Sequence, residues 1–82
     1  MAFEFSEHAA QKLKILRRHK VKVTRKLVED AVSKPDRVLQ GAGGRQIAES
    51  TLDQDHIIRV VFIRKREDVR VITMYPARRG RY

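Results

Sequence analysis

The sequence contains no cysteine, so no disulfide staples the fold. Its three histidines, His8, His19 and His56, are scattered, and a structural zinc site is not expected. The longest uninterrupted apolar run, Val60 to Ile63, is far too short to span a bilayer. The opening stretch from Met1 to Ser6 lacks the basic-then-apolar order of a secretory signal. These absences predict a soluble, cytoplasmic protein with no membrane contact, no metal and no cofactor. A chain of 82 residues holds one domain, 1–82. A core of that size needs well-matched packing, or a partner that covers part of the fold.

Acid is missing from one stretch in particular. Between Lys12 and Lys26 stand Lys12, Lys14, Arg17, Arg18, Lys20, Lys22, Arg25 and Lys26, joined by His19, with no Asp or Glu among them. A second basic set runs from Arg59 to Arg81, and most acids lie between the two sets. In total 19 Lys and Arg face 10 Asp and Glu, a net charge of +9. A merely solvated surface intersperses its signs. This segregation points to a polyanion, RNA above all, or to an acidic protein partner. The 41% of hydrophobic residues argues against simple disorder.

Periodicity divides the chain into helices first and strands second. Phe3-Glu4-Phe5 alternates as a short strand does. Ser6 then reads as an N-cap, and Ala9, Leu13 and Leu16 mark the buried stripe of a helix from Ser6 to His19. Thr24 caps a second helix with Leu27, Val28, Ala31 and Val32 inward, and Pro35 ends it. Beyond Pro35 the period falls to two. Strands are expected at Arg37–Gln40, Arg45–Leu52, Ile57–Ile63 and Val69–Tyr75, separated by turns at Gly41–Gly44, Asp53–Asp55 and Arg66–Asp68. Pro76 is expected to stop the last strand, leaving Ala77–Tyr82 as a tail. The layout is α+β, with two N-terminal helices on one face of a mostly antiparallel sheet of about four strands.

The other sheet face is then open or covered by a partner. If the last hairpin has an even loop, Val61, Ile63, Ile72 and Met74 share one face and belong against the helices. Val60, Phe62, Arg64, Val71, Thr73 and Tyr75 share the opposite face. That second set mixes aromatics with a cation, which suits single-stranded RNA, and its aromatics serve equally well as ordinary core.

Among candidate chemical groups, Asp53-Gln54-Asp55-His56 has metal-friendly side chains, but its spacing fits a tight turn better. Gly41–Gly44 lacks the Lys-Ser/Thr of a phosphate loop. His8 lies in the first turn of helix one, beside the buried stripe and facing the sheet edge. There it either hydrogen-bonds structurally or moves a proton. The ending, Tyr75-Pro76-Ala77-Arg78-Arg79-Gly80-Arg81-Tyr82, joins arginines that grip phosphate to tyrosines that stack or donate a proton. It reads as part of a ribonuclease site or as a basic tail that binds polyanions loosely.

The opening Phe3-Glu4-Phe5-Ser6-Glu7-His8-Ala9, the later Ser33-Lys34-Pro35-Asp36, the strand Ile57-Ile58-Arg59-Val60-Val61-Phe62 and the ending from Val71 to Tyr82 carry a resemblance. Together they resemble a family of small prokaryotic domains near the RelE/ParE superfamily of toxins, especially its BrnT branch. The similarity spans almost the whole chain; its start and its Arg-x-Tyr end are the specific parts. It implies a RelE-like fold and a toxin that cleaves RNA or blocks translation until an antitoxin protein masks it. His8, Arg59, Tyr75, Arg78, Arg79, Arg81 and Tyr82 match the family's recurring residues.

The leading expectation is therefore a toxin-like, metal-independent endoribonuclease. His8, Tyr75, Arg78 and Tyr82 are its candidate catalytic residues, and Arg17, Arg18, Arg59, Arg64, Arg79 and Arg81 its RNA contacts. A non-catalytic nucleic-acid- or protein-binding module, or a ParE-like toxin directed at gyrase, would use the same basic surface.

Overall fold

Each helix starts at a hydroxyl side chain that caps it. In the computed structural model, which describes residues 2–78, α1 (Glu7–Arg18) follows Ser6, whose Oγ accepts the Ala9 N–H at 3.1 Å. Helix α2 (Arg25–Ser33) follows Thr24, whose Oγ1 accepts the Leu27 N–H at 3.1 Å. Each cap satisfies a backbone donor that the helix itself leaves without a partner. Ala9 and Leu16 of α1 are buried with Val28, Ala31 and Val32 of α2, and Leu13 and Leu27 pack beside them.

Helix α1 ends in a Schellman turn. The Val21 N–H reaches the Leu16 carbonyl at 2.9 Å and the Lys20 N–H reaches that of Arg17 at 3.1 Å. The residue closing such a turn adopts left-handed backbone, which glycine enters without strain. Here it is Lys20, at φ 59°, a conformation that costs an L-residue about 1–2 kcal/mol.

Among the described residues the sheet has five strands: β1 (Phe3–Phe5), β2 (Arg37–Gln40), β3 (Gln46–Thr51), β4 (His56–Lys65) and β5 (Asp68–Arg78), in the spatial order β1-β5-β4-β3-β2. The helices and the inward side chains Ala48, Ile58, Val60, Phe62, Val69, Val71 and Met74 form one core, so the helices share one sheet face. The α+β expectation holds in that form. The strand count rises above four because β1 joins as a parallel edge strand, pairing Phe3–Phe5 with Val69–Val71.

Two further expectations are corrected. Pro76 does not stop the last strand: β5 continues to Arg78, with Pro76 opposite Ile58. Beyond Val71, β5 has β4 on one side and, among the described residues, no strand on the other. A residue without an N–H is tolerated on such an edge.

The second correction concerns sheet face. The β4–β5 register shifts at Val61/Phe62: Thr73 pairs with Val61 and Val71 with Phe62, leaving Ile72 as an extra residue on β5. Val60, Phe62 and Val71 therefore belong to the core, at 0%, 1% and 0% exposure. Val61 and Ile63 are half-buried on the opposite face. Only past the bulge does the straight-ladder assignment hold, with Met74 inward and Tyr75 outward. No helix among the described residues is long and apolar enough to cross a membrane.

Ser6 ties this bulge to the start of α1. Its N–H donates to the Val71 carbonyl at 3.0 Å and its hydroxyl donates to the Ile72 carbonyl at 2.9 Å. Ser6→Ala should thus cost about 1–3 kcal/mol in denaturant unfolding, more than a helix cap alone. The bulge has its own signature. Met74→Ala should cost about 2–5 kcal/mol, as an emptied core position does, and Ile72→Ala less than about 1.5 kcal/mol. Equal costs for the pair would mean an unbroken ladder.

Candidate nucleic-acid interface

Alternation along the strands lays out the face opposite the helices in rows. One row crosses four strands: Arg37 of β2 pairs with Glu49 of β3, Glu49 with Arg59 of β4, and Arg59 with Tyr75 of β5. The neighbouring row is Leu39, Ile47, Val61 and Thr73, and on the other side stand Thr51, Ile57 and Ala77. A charged strip is thus set between largely apolar ones, where water is partly excluded and electrostatic contacts strengthen.

Glu49 is the centre of the strip and is only 4% exposed. The Arg59 Nε donates to its Oε2 at 2.6 Å, and the Arg37 Nε lies 3.8 Å from its Oε1. Tyr75 is the cross-strand partner of Arg59, and its phenol interacts with the guanidinium. Burial works against the Arg59 charge, but the bond with Tyr75 and the bond and charge of Glu49 outweigh it, so the guanidinium holds its proton more tightly than usual. A carboxylate, a fixed cation and a phenol are in this way set in a line across the sheet face opposite the helices.

The candidate residues do not all come together. Arg59 and Tyr75 meet on the open face. His8, exposed on α1, reaches the same edge: its Nε2 lies 3.1 Å from Thr73 Oγ1. Thr73 and Tyr75 are two residues apart on β5, about 7 Å along the strand. Arg78 is not part of this group. It pairs with His56, and alternation puts it on the side of Met74 and Pro76. Arg64 is near the far end of β4, its guanidinium 5.7 Å from the Phe62 ring centre, so it and Arg59 lie on different faces. Arg17 and Arg18 are exposed on the last turn of α1. Arg79, Arg81 and Tyr82 lie outside the described residues.

Glu49 and Arg37 have no place among the sequence candidates, yet a signal for Glu49 existed. A hairpin centred on Gln54 sets Glu49 and Arg59 at equal distances from the turn, and so opposite each other. Also unassigned by sequence is a cleft of about 420 Å³ beside that turn, where Lys20, Lys22 and His56 gather.

The turn itself shows why Asp53-Gln54-Asp55-His56 is structural. Asp53 Oδ1 accepts the N–H groups of Asp55 and His56, each at 2.8 Å, and lies 3.0 Å from His56 Nδ1. The Asp55 backbone bond first, and the His56 side-chain bond next, hold the Asp53 carboxyl below its ordinary pKa. A depressed folded-state pKa adds stability above the unfolded value, and that contribution is lost as pH falls through the folded one. Asp53→Asn should therefore lower the urea midpoint at neutral pH. The gap between variant and wild type should close as the pH drops below the ordinary carboxylate range.

Compared with known proteins, the chain matches no family model, no curated protein and no solved structure.

Proposed function

We propose that the chain is a toxin-like protein of RelE type: an endoribonuclease that acts on RNA without a metal ion and is silenced by an antitoxin protein. The observation that carries this reading is the Arg59–Tyr75 pair on the open face, with Glu49 fixing the arginine from behind. RNA cleavage by internal attack forms a bond from the 2′ oxygen to phosphorus and breaks the bond from phosphorus to the 5′ oxygen. The 2′-hydroxyl loses a proton, the leaving oxygen gains one, and extra negative charge builds on the phosphoryl oxygens. Arg59 supplies a fixed cation for that charge, already oriented by its neighbours. Tyr75 is the proton donor to the leaving oxygen, and His8, at the same strand edge, takes the proton of the attacking hydroxyl. The net charge of +9 draws the RNA in. The flanking Ile47, Val61 and Ile63 are half-buried and offer an antitoxin an apolar footing.

Purified protein should cut ribosome-bound or free messenger RNA to products ending in a 2′,3′-cyclic phosphate. Tyr75→Phe should slow cutting by about 10²- to 10⁴-fold. Arg59→Lys should slow it by about 10²-fold, since lysine cannot hold both neighbours in the same geometry. Circular dichroism serves as the control for folding. Salt-sensitive RNA binding without cutting would instead make the domain a non-catalytic binding module. Double-strand DNA breaks without RNA loss on expression would make it a gyrase-directed toxin.

A further inference from the structure

We propose that the cleft between the α1–α2 connection and the β3–β4 turn binds a single nucleotide unit, its base on an apolar floor and its phosphate on a cationic rim. Val21, Leu52 and Pro76 line the floor, and Lys20, Lys22 and His56 the rim. At about 420 Å³ the cleft falls within the size range of small-ligand sites. Asp53 is the one acid among its described lining residues, and its carboxylate is already engaged by the turn and by His56.

Three observations single this place out. Asp53 occupies His56 Nδ1 and so fixes the ring, leaving Nε2 as the imidazole's second hydrogen-bonding atom. Lys20 stands in left-handed backbone at φ 59°, where glycine would be relaxed. That backbone closes the Schellman turn of α1 and sets the lysine at the cleft wall. Two more cations stand next to its lining residues: Arg78 is the cross-strand partner of His56, and Arg17 lines a groove that shares Lys20 and Lys22 with the cleft. Phosphate is the anion that such a set grips best, and the apolar floor selects a phosphate that carries a flat apolar body. The site lies off the Arg59–Tyr75 face and stands apart from any cutting there.

The test is a titration of the whole chain with adenosine monophosphate, inorganic phosphate and adenosine, followed by the His56 ring and Lys20–Lys22 amide signals in NMR. The monophosphate should shift these signals to saturation and bind at least about tenfold tighter than either fragment. A 5′-phosphorylated tetranucleotide that binds tighter still identifies an RNA end as the source; equal binding identifies the free nucleotide. Lys20→Gly separates binding from folding. It should raise the melting temperature by about 4–8 °C by relieving the backbone, while weakening the monophosphate about tenfold. The proposal is overturned if the monophosphate leaves His56 unmoved, if phosphate alone binds as tightly, or if Lys20→Gly binds like wild type. It is also overturned if an acidic peptide shifts the His56 signals where the monophosphate does not. None of these readings depends on RNA cleavage, so they stand or fall separately from the ribonuclease assignment.

Discussion

The extra residue at Ile72 sets which way every later side chain of β5 faces. Before it, β5 turns its odd-numbered side chains, Val69 and Val71, into the core; after it, the even-numbered Met74 is the one buried. Tyr75 reaches the open face beside Arg59 only because of that change of phase. An insertion of this kind normally weakens a ladder locally, and here Ser6 compensates. It bonds both carbonyls at the bulge while capping α1, so the helix, the bulge and the outward row are one connected arrangement.

The second physical question is why a carboxylate sits 4% exposed in a sheet face with no helix over it. A buried ion pair rarely stabilises more than apolar residues of the same volume would, because desolvation offsets the attraction; removing one partner is what costs several kcal/mol. Glu49 is therefore weak evidence for stability and better evidence for placement. Held between Arg37 and Arg59, it fixes the direction of the Arg59 guanidinium. Arg70 and Glu4, paired at 2.7 Å on the exposed β1 edge, show the contrast: such a pair contributes little and fixes little.

Part of the positive charge that dominates the composition gathers in two places. Arg37 and Arg59 lie within the row on the open face, while Lys20, Lys22, Arg17 and Arg78 gather around the end of the sheet near the helix connection. Arg78 belongs by sequence to the same tail motif as Tyr75, but three residues of strand put them on opposite sides. Nearness in sequence along a strand is poor evidence of a shared site, since adjacent side chains alternate in direction.

The helices were legible from the sequence nearly to the residue, because Ser6, Thr24 and Pro35 act locally and the buried stripes repeat at a fixed local period. The turns were legible for the same reason. Face and assembly came only with the folded chain: the joining of β1 to β5, the survival of β5 past Pro76, and the side on which Val60, Phe62 and Val71 lie. Each of these depends on contacts between segments far apart in the chain. A single added residue on a strand inverts every side chain after it, and no local pattern records that shift.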